Sequence, residues 1–188
     1  MIQYKLNMKF NFVRKFPIIG LLAALNSHAA ELITLPQALK LAYPEPGATF
    51  EPKSLTLTVQ ERKIIEADLG SKLYSAACQG YEARLNGKSL GLALLDDEIG
   101  KHLPITFLVA LDARSKVRRV ELLTYRERYG QGIQSRKFMA QFDGKSAGDP
   151  LFVTRGIDAV TGATISSRSI SLGVRKALRI ADKFKEIK

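Results

Sequence analysis

Residues 158–167 read Asp-Ala-Val-Thr-Gly-Ala-Thr-Ile-Ser-Ser and stand directly ahead of a basic amphipathic stretch. Thr161, Thr164, Ser166 and Ser167 bring four hydroxyls to one loop, more than the capping of one helix requires. Gly162 and Ala163 keep bulky side chains clear of anything approaching the backbone. A helix start offers free main-chain N–H groups and the positive end of the helix dipole, so a hydroxyl placed there can hold or carry a phosphate. The plainer role of the same residues is structural: Ser and Thr cap helices, and Gly permits a tight turn.

The elements that must position this loop follow from periodicity. Residues 166–187 carry the longest helical pattern, with Ile170, Val174, Ala177, Leu178, Ala181 and Phe184 on one face and Arg175, Arg179 and Lys183 on another. That basic row reads as a solvated face, with compensation of the helix dipole or docking to an acidic redox partner as functional additions. Upstream, Thr34-Leu35-Pro36 opens a short helix to about Leu41, ended by Pro44-Glu45-Pro46-Gly47. Residues 44–56 read as an irregular connector. Thr58-Val59-Gln60-Glu61 has capping-box spacing and Gly70 supplies a stop, which predicts a helix over 59–69.

The period then changes to two. Tyr81, Ala83 and Leu85 alternate with polar residues up to Asn86-Gly87, a strong hairpin signal, and Leu90, Leu92 and Leu94 alternate on the return. Ile105, Phe107, Val109 and Leu111 make a third strand; Val120, Leu122 and Thr124 make a fourth. Ser135 to Phe142 predicts a short helix. The fold class is α+β: an antiparallel β-meander with one apolar face, covered by helices, the longest of them C-terminal.

Asp158, Thr161, Gly162, Ala163, Thr164 and Ser167 match every defined position of the pattern Asp-x-x-Ser/Thr-Gly-Ala-Thr-x-x-Ser/Thr. The segment thereby resembles the signature of the FMN-binding domain family, which includes the G subunit of the Rnf complex and the C subunit of sodium-translocating NADH:quinone oxidoreductase. A second segment, Glu127-Arg128-Tyr129-Gly130-Gln131-Gly132, resembles the family's Glu-Thr-Pro-Gly-x-Gly turn; Glu127, Gly130 and Gly132 match, while Arg128 and Tyr129 depart from it. The resemblance covers roughly residues 73–185. It implies FMN held as a phosphoester on Thr164, attached by a separate flavin transferase that uses FAD and magnesium, so that no catalytic base is needed beside the hydroxyl. It implies that Asp158 takes part in recognition and that Ser166 and Ser167 belong to the loop. The N–H groups of residues 165–167 would receive the remaining phosphate charge. It places the 127–132 turn close to the flavin, with Tyr129 either an ordinary half-buried loop aromatic or stacked on the ring edge. Arg126, Arg128 and Arg136 flank the turn, as solvated charges or as cations favouring the reduced flavin.

Residues 1–29 combine Lys5, Lys9, Arg14 and Lys15 with a short apolar run, Phe16 to Leu25, and small residues at Ser27 and Ala29. This is the pattern of a secretory signal peptide cleaved after Ala29, which predicts a periplasmic or otherwise exported protein. An uncleaved anchor would need about 20 apolar residues. The expected organisation is a signal peptide over 1–29, an N-terminal helical segment over 30–72 and an FMN-binding domain over 73–188. Removing the four basic residues of the leader takes the formal net charge from +11 to +7. Such a surface suits acidic partners or peripheral contact with an anionic membrane, whereas no nucleic-acid recognition motif is present. One cysteine, Cys78, and two histidines, His28 and His102, rule out a structural zinc or an iron–sulfur cluster. Cys78 reads as a buried small residue.

Two functions fit these residues. One is an electron carrier with covalent FMN on Thr164, working between a membrane-bound redox partner and a soluble acceptor. The other is a non-catalytic FMN-binding or adaptor module of a membrane redox complex, without covalent flavin.

Overall fold

The computed structural model describes residues 30–185; the expected signal peptide lies outside them. Six strands form one antiparallel sheet in the order β1-β6-β5-β4-β3-β2. They are β1 (Ala30–Glu31), β2 (Thr49–Thr56), β3 (Ala77–Leu85), β4 (Lys88–Ile99), β5 (Pro104–Asp112) and β6 (Val117–Tyr125). Helices α1 (Leu35–Ala42), α2 (Val59–Leu69), α3 (Arg136–Met139) and α4 (Thr164–Lys185) pack on it, and β7 (Phe152–Val153) and β8 (Gly156–Ile157) make a small parallel pair. The class is α+β, as the periodicity predicts.

Local signals set several boundaries. Thr34 and Gln37 close a capping box on α1, and Thr58 and Glu61 close one on α2. Gly70 ends α2 in the left-handed conformation. Asn86-Gly87 turns β3 into β4, both residues at positive φ.

Two expectations are corrected. Residues 49–56, read as a connector, form the edge strand β2, paired along its length with β3. Its burial alternates weakly and it contains Pro52, which an edge strand tolerates because one side needs no ladder donor. Residues 30–72 therefore supply β1 and β2 to the same sheet as 73–185. Second, the sheet is apolar on both faces. Phe107, Val109 and Leu111 face α2 and α4, while Leu108 and Ala110 face α1 together with Ala83, Ala93 and Leu123. The run Ile-Thr-Phe-Leu-Val-Ala-Leu in β5 is the mark of a strand buried on both sides. Tyr43 closes the α1 side, donating its hydroxyl to the Leu111 carbonyl at 2.7 Å.

Helix α4 lies across the sheet, and its first residue borders the loop of interest. Ile170, Val174, Ala177, Leu178, Ala181 and Phe184 are all buried, as expected from their spacing. The basic row is only partly solvated: Arg179 is exposed, while Arg175 and Lys183 are half-buried. Arg175 donates to the Leu69 carbonyl, Arg179 pairs with Asp68 and Lys183 pairs with Glu61, so this face of α4 meets the end and acidic side of α2. Gly173 is where helix and sheet come closest: a Cβ there would fall 2.3 Å from Phe107 Cζ. One turn on, Lys176 is inserted between Asp96 at 2.6 Å and Glu98 at 2.5 Å, all three side chains largely buried. Two carboxylates thus share one ammonium. Burial, only partly offset by Lys176 and reinforced by Glu98, pushes the Asp96 carboxyl up to about 7. Burial works against the Lys176 charge, but the two carboxylates outweigh it and hold its pKa above the ordinary value.

Gly173→Ala should lower stability by about 2 kcal/mol through overpacking against Phe107, although Ala is the better helix former by about 1 kcal/mol. Urea unfolding checks this, and an unchanged or higher midpoint would show that α4 has room to shift. A second expectation concerns pH. The folded state keeps a proton on Asp96 that the unfolded chain releases, so stability should fall as pH rises from about 4 to about 7. Asp96→Asn should flatten that slope in thermal melts across this range; an identical pH profile in the variant would remove Asp96 as its source.

Candidate functional site

Three segments converge at the start of α4. The first is the loop 158–163. A turn closed by Ala163 N–H to the Val160 carbonyl at 2.9 Å carries Gly162 at φ +76°, so Gly162 takes the left-handed geometry the turn demands. Thr164 is the first residue of α4 and its side chain is exposed. The first main-chain bond into the helix runs from Ser167 N–H to the Ala163 carbonyl at 2.9 Å. Among the described residues, the N–H groups of Thr164, Ile165 and Ser166 therefore have no acceptor, the usual state of a first helical turn. The three donors differ by one residue from the expected 165–167, because α4 starts at Thr164 rather than near 166.

The second segment is the glycine turn. Gly130, at φ +83°, lies against the loop: a Cβ there would fall 2.9 Å from the Tyr125 hydroxyl and 3.0 Å from Ala163 Cβ. A Cβ on Gly132 would meet Val160 at 2.9 Å. The turn and the Thr-Gly-Ala-Thr loop, far apart in the chain, thus touch through positions that admit no side chain. Tyr125 joins them to α4. Its hydroxyl donates to the Tyr129 carbonyl at 2.8 Å and lies 3.1 Å from Ser166 Oγ.

The third segment is the 100–103 turn between β4 and β5. Glu127 is buried and accepts the His102 and Leu103 N–H groups at 2.5 and 3.0 Å. Burial alone would raise its pKa, but these N–H bonds prevail and hold the carboxyl below its usual range. Ser169, on α4, donates to the Ile99 carbonyl at 2.6 Å and ties the same turn to the helix.

The residues singled out from the sequence therefore divide. Thr161, Gly162, Thr164 and Asp158 are exposed, and Ala163 is buried beneath them. Ser166 and Ser167 turn inward; Ser167 Oγ accepts the Val160 N–H at 3.1 Å and donates to the Ala163 carbonyl at 3.0 Å. They hold the loop in shape and leave Thr164 as the outward hydroxyl of the first turn. Glu127 faces the 100–103 turn. Tyr129 is 73% exposed rather than half-buried, with the Arg128 guanidinium 5.7 Å from its ring centre. Arg126 is engaged by the Pro104 carbonyl and Thr106, and Arg136 by Asp143. Of the three arginines, Arg128 is the one that lies at the turn with no hydrogen-bonding partner among the described residues. Gln141 escaped the sequence reading. It brackets Asp158 with two main-chain bonds, accepting from its N–H at 2.8 Å and donating to its carbonyl at 3.2 Å. Its position between Ala140 and Phe142 in the short helical segment gave no hint of this.

Clefts of about 360 and 430 Å3 lie elsewhere on the molecule, one lined by Cys78 and Lys176 and one by Leu92 and Phe184. Thr164 lines neither. Burial raises the Cys78 pKa, which disfavours a reactive thiolate. The site at the head of α4 presents the exposed Thr164 hydroxyl, with Thr161 exposed in the loop before it and three unused N–H donors beside it. That donor set fits a phosphate monoester.

Comparison with known proteins meets this geometry. Residues 100–179 match the profile of the FMN-binding domain. Over 106 residues the chain is 32% identical to the G subunit of the proton-translocating ferredoxin:NAD(+) oxidoreductase complex of Clostridium ljungdahlii, an alignment covering 52% of this chain and 57% of that protein. The matched profile runs from the 100–103 turn through most of α4 and takes in all three converging segments.

Gly130→Ala should strain the turn and push it away from Ala163 and the Tyr125 hydroxyl, lowering the melting temperature by several degrees for a cost of about 1–3 kcal/mol. An unaltered melting curve would mean that the turn and loop are not in contact.

Proposed function

We propose that this chain, whose residues 100–179 match the FMN-binding domain family, is a flavin-based electron carrier with FMN held through its phosphate on Thr164. The observation that carries this reading is the exposed Thr164 hydroxyl at the head of α4, beside three main-chain N–H groups that no other described residue uses. When bound, FMN supplies one- and two-electron transfer from its isoalloxazine ring, which attachment through the phosphate leaves unmodified.

The chain's own residues have separable tasks. Thr164 Oγ1 is the point of attachment. The N–H groups of Thr164, Ile165 and Ser166, with the helix dipole, offset the phosphate charge. Ser167 and Tyr125 keep the loop and the glycine turn fixed, so that the attachment point does not move relative to the sheet. Asp158, exposed and held by Gln141 through its main chain, presents a carboxylate for recognition by the enzyme that makes the bond. The attachment itself would be made by a separate flavin transferase using FAD and magnesium, as the family resemblance implies.

Export and a membrane partner complete the proposal. The leader pattern of residues 1–29 supports secretion. The related clostridial protein is named as part of a proton-translocating complex, and proton translocation implies a membrane. The chain spans little more than half the length of that relative, so electron donor and acceptor are part of the proposal.

Denaturing electrophoresis of the chain co-expressed with a flavin transferase tests the attachment. Wild type and Thr161→Val should give a fluorescent band, and Thr164→Val should fall to background. A fluorescent Thr164→Val band would move the attachment elsewhere, and a dark wild-type band despite an active transferase would favour the adaptor reading without covalent flavin.

A further inference from the structure

The end of the domain that carries Thr164 has a surface unlike the rest. Ile99 and Leu103 beside the turn from β4 to β5, Tyr129 on the glycine turn and Ile165 on α4 are 41, 43, 73 and 46% exposed. They are four of the nine large apolar side chains exposed among the described residues, and they lie on three segments already shown to be bonded to one another. Clustered exposed apolar groups mark an interaction surface more often than scattered ones do.

The charges at this end are also unusual. Lys101, Arg128 and Arg168 are exposed, and none makes an ion pair with another described residue. Farther along α4, by contrast, Lys176, Arg179 and Lys183 are each matched to a carboxylate. The acids near the site are mostly occupied: Glu127 holds the 100–103 turn and Asp97 takes the Thr106 hydroxyl. Asp97 and Asp158 remain exposed, Asp97 accepting the Thr106 hydroxyl and Asp158 making no ion pair with a described residue.

A third observation concerns the route of the chain. Ala30 pairs with Tyr125 at the end of β6, immediately before the glycine turn. The N-terminal end of the described chain therefore lies beside this surface.

We propose that this end of the domain docks on an anionic lipid surface, with the four apolar side chains in the headgroup boundary and the three cations against the phosphates. Aliphatic side chains with a tyrosine and unpaired Lys and Arg form the composition that settles at a bilayer interface. Each cation near an anionic leaflet strengthens binding on the order of fivefold, and salt weakens it. Among the described residues no helix is long and apolar enough to cross a membrane; surface docking needs none. The proposal does not require flavin. If Thr164 carries one, docking places it at the membrane face.

The chain contains no tryptophan, so Leu103→Trp installs a single indole on this surface. The experiment uses the full chain with vesicles bearing brominated acyl chains, either phosphatidylcholine and phosphatidylglycerol in equal parts or phosphatidylcholine alone. Emission should shift to the blue and be quenched at least twofold on the anionic vesicles. It should recover at high salt, stay unchanged on phosphatidylcholine and be lost when Lys101→Glu and Arg168→Glu are added. The matching Ile64→Trp reporter, on the exposed side of α2, should not respond. Unchanged emission on anionic vesicles overturns the proposal, and so does equal quenching at Ile64→Trp, which would mean adsorption by the whole basic surface. Quenching of Leu103→Trp by attached flavin alone, with no added effect of vesicles, also overturns it and assigns the apolar surface to the cofactor ring. Attachment is read separately by in-gel fluorescence, so failure of docking and failure of attachment are told apart.

Discussion

The packing of α4 against β4 and β5 is the contact on which the rest of the structure depends. At Gly173 the helix backbone comes so close to Phe107 that no side chain fits between them. One turn later Lys176 is threaded between Asp96 and Glu98. The first contact sets how near the helix lies to the sheet, and the second sets its rotation and its position along the axis. A buried ion cluster contributes little net stability against a hydrophobic alternative, but it penalises a slipped register, because slippage would strand a charge away from water. With α4 fixed in this way, Thr164 stands at a defined height above the ends of the strands.

Positioning the head of a helix is not enough to present a hydroxyl, because a first turn readily caps itself. Here Ser167 reaches back to Val160 and Ala163 and Ser166 is met by Tyr125, so neither hydroxyl takes up the free N–H groups of the turn. Those inward bonds are what leave Thr164 outward. The glycine turn supplies the complementary wall. Its contact with Ala163 depends on Gly130 having no Cβ, and Tyr125 fixes its height through the Tyr129 carbonyl. The chemistry offered at the surface thus comes from a network whose members are mostly buried and make little contact with solvent.

Much of this was legible in the sequence, for identifiable reasons. The capping boxes at Thr34 and Thr58, the Gly70 stop and the Asn86-Gly87 turn are local signals, and each marks its element boundary closely. The face of α4 could be read from its period. What escaped was decided by residues far apart. Strand β2 exists because β3 pairs with it, not because of its own pattern. The apolar run of β5 held the information that both faces are covered, yet period-two reading assigned it one. The basic row of α4 was legible as a row, but the acids of α2 that meet it come from another helix. The loop Thr-Gly-Ala-Thr could be recognised as a site, whereas which of its hydroxyls points outward depends on Tyr125 and Val160. Gln141, with no local signal at all, was invisible.

The shallow shape of the site bears on the kind of cofactor attachment it can support. A pocket that buries most of a ligand holds it through apolar contact over a large area. The surface at the head of α4 offers three N–H donors and a few exposed apolar side chains, and clefts of several hundred Å3 lie elsewhere. Donors of this kind, in contact with water, give modest affinity because water competes for each of them. A diffusible nucleotide would leave such a surface readily, while a phosphoester on Thr164 would keep it there without any enclosing wall. The exposure of Thr164, Ile165 and Tyr129 leaves the site accessible to a partner or a lipid surface. Under the proposed attachment, the exposed Thr164 hydroxyl would retain the cofactor through a covalent bond, and the exposed apolar groups and unpaired cations around it would stay free for contact.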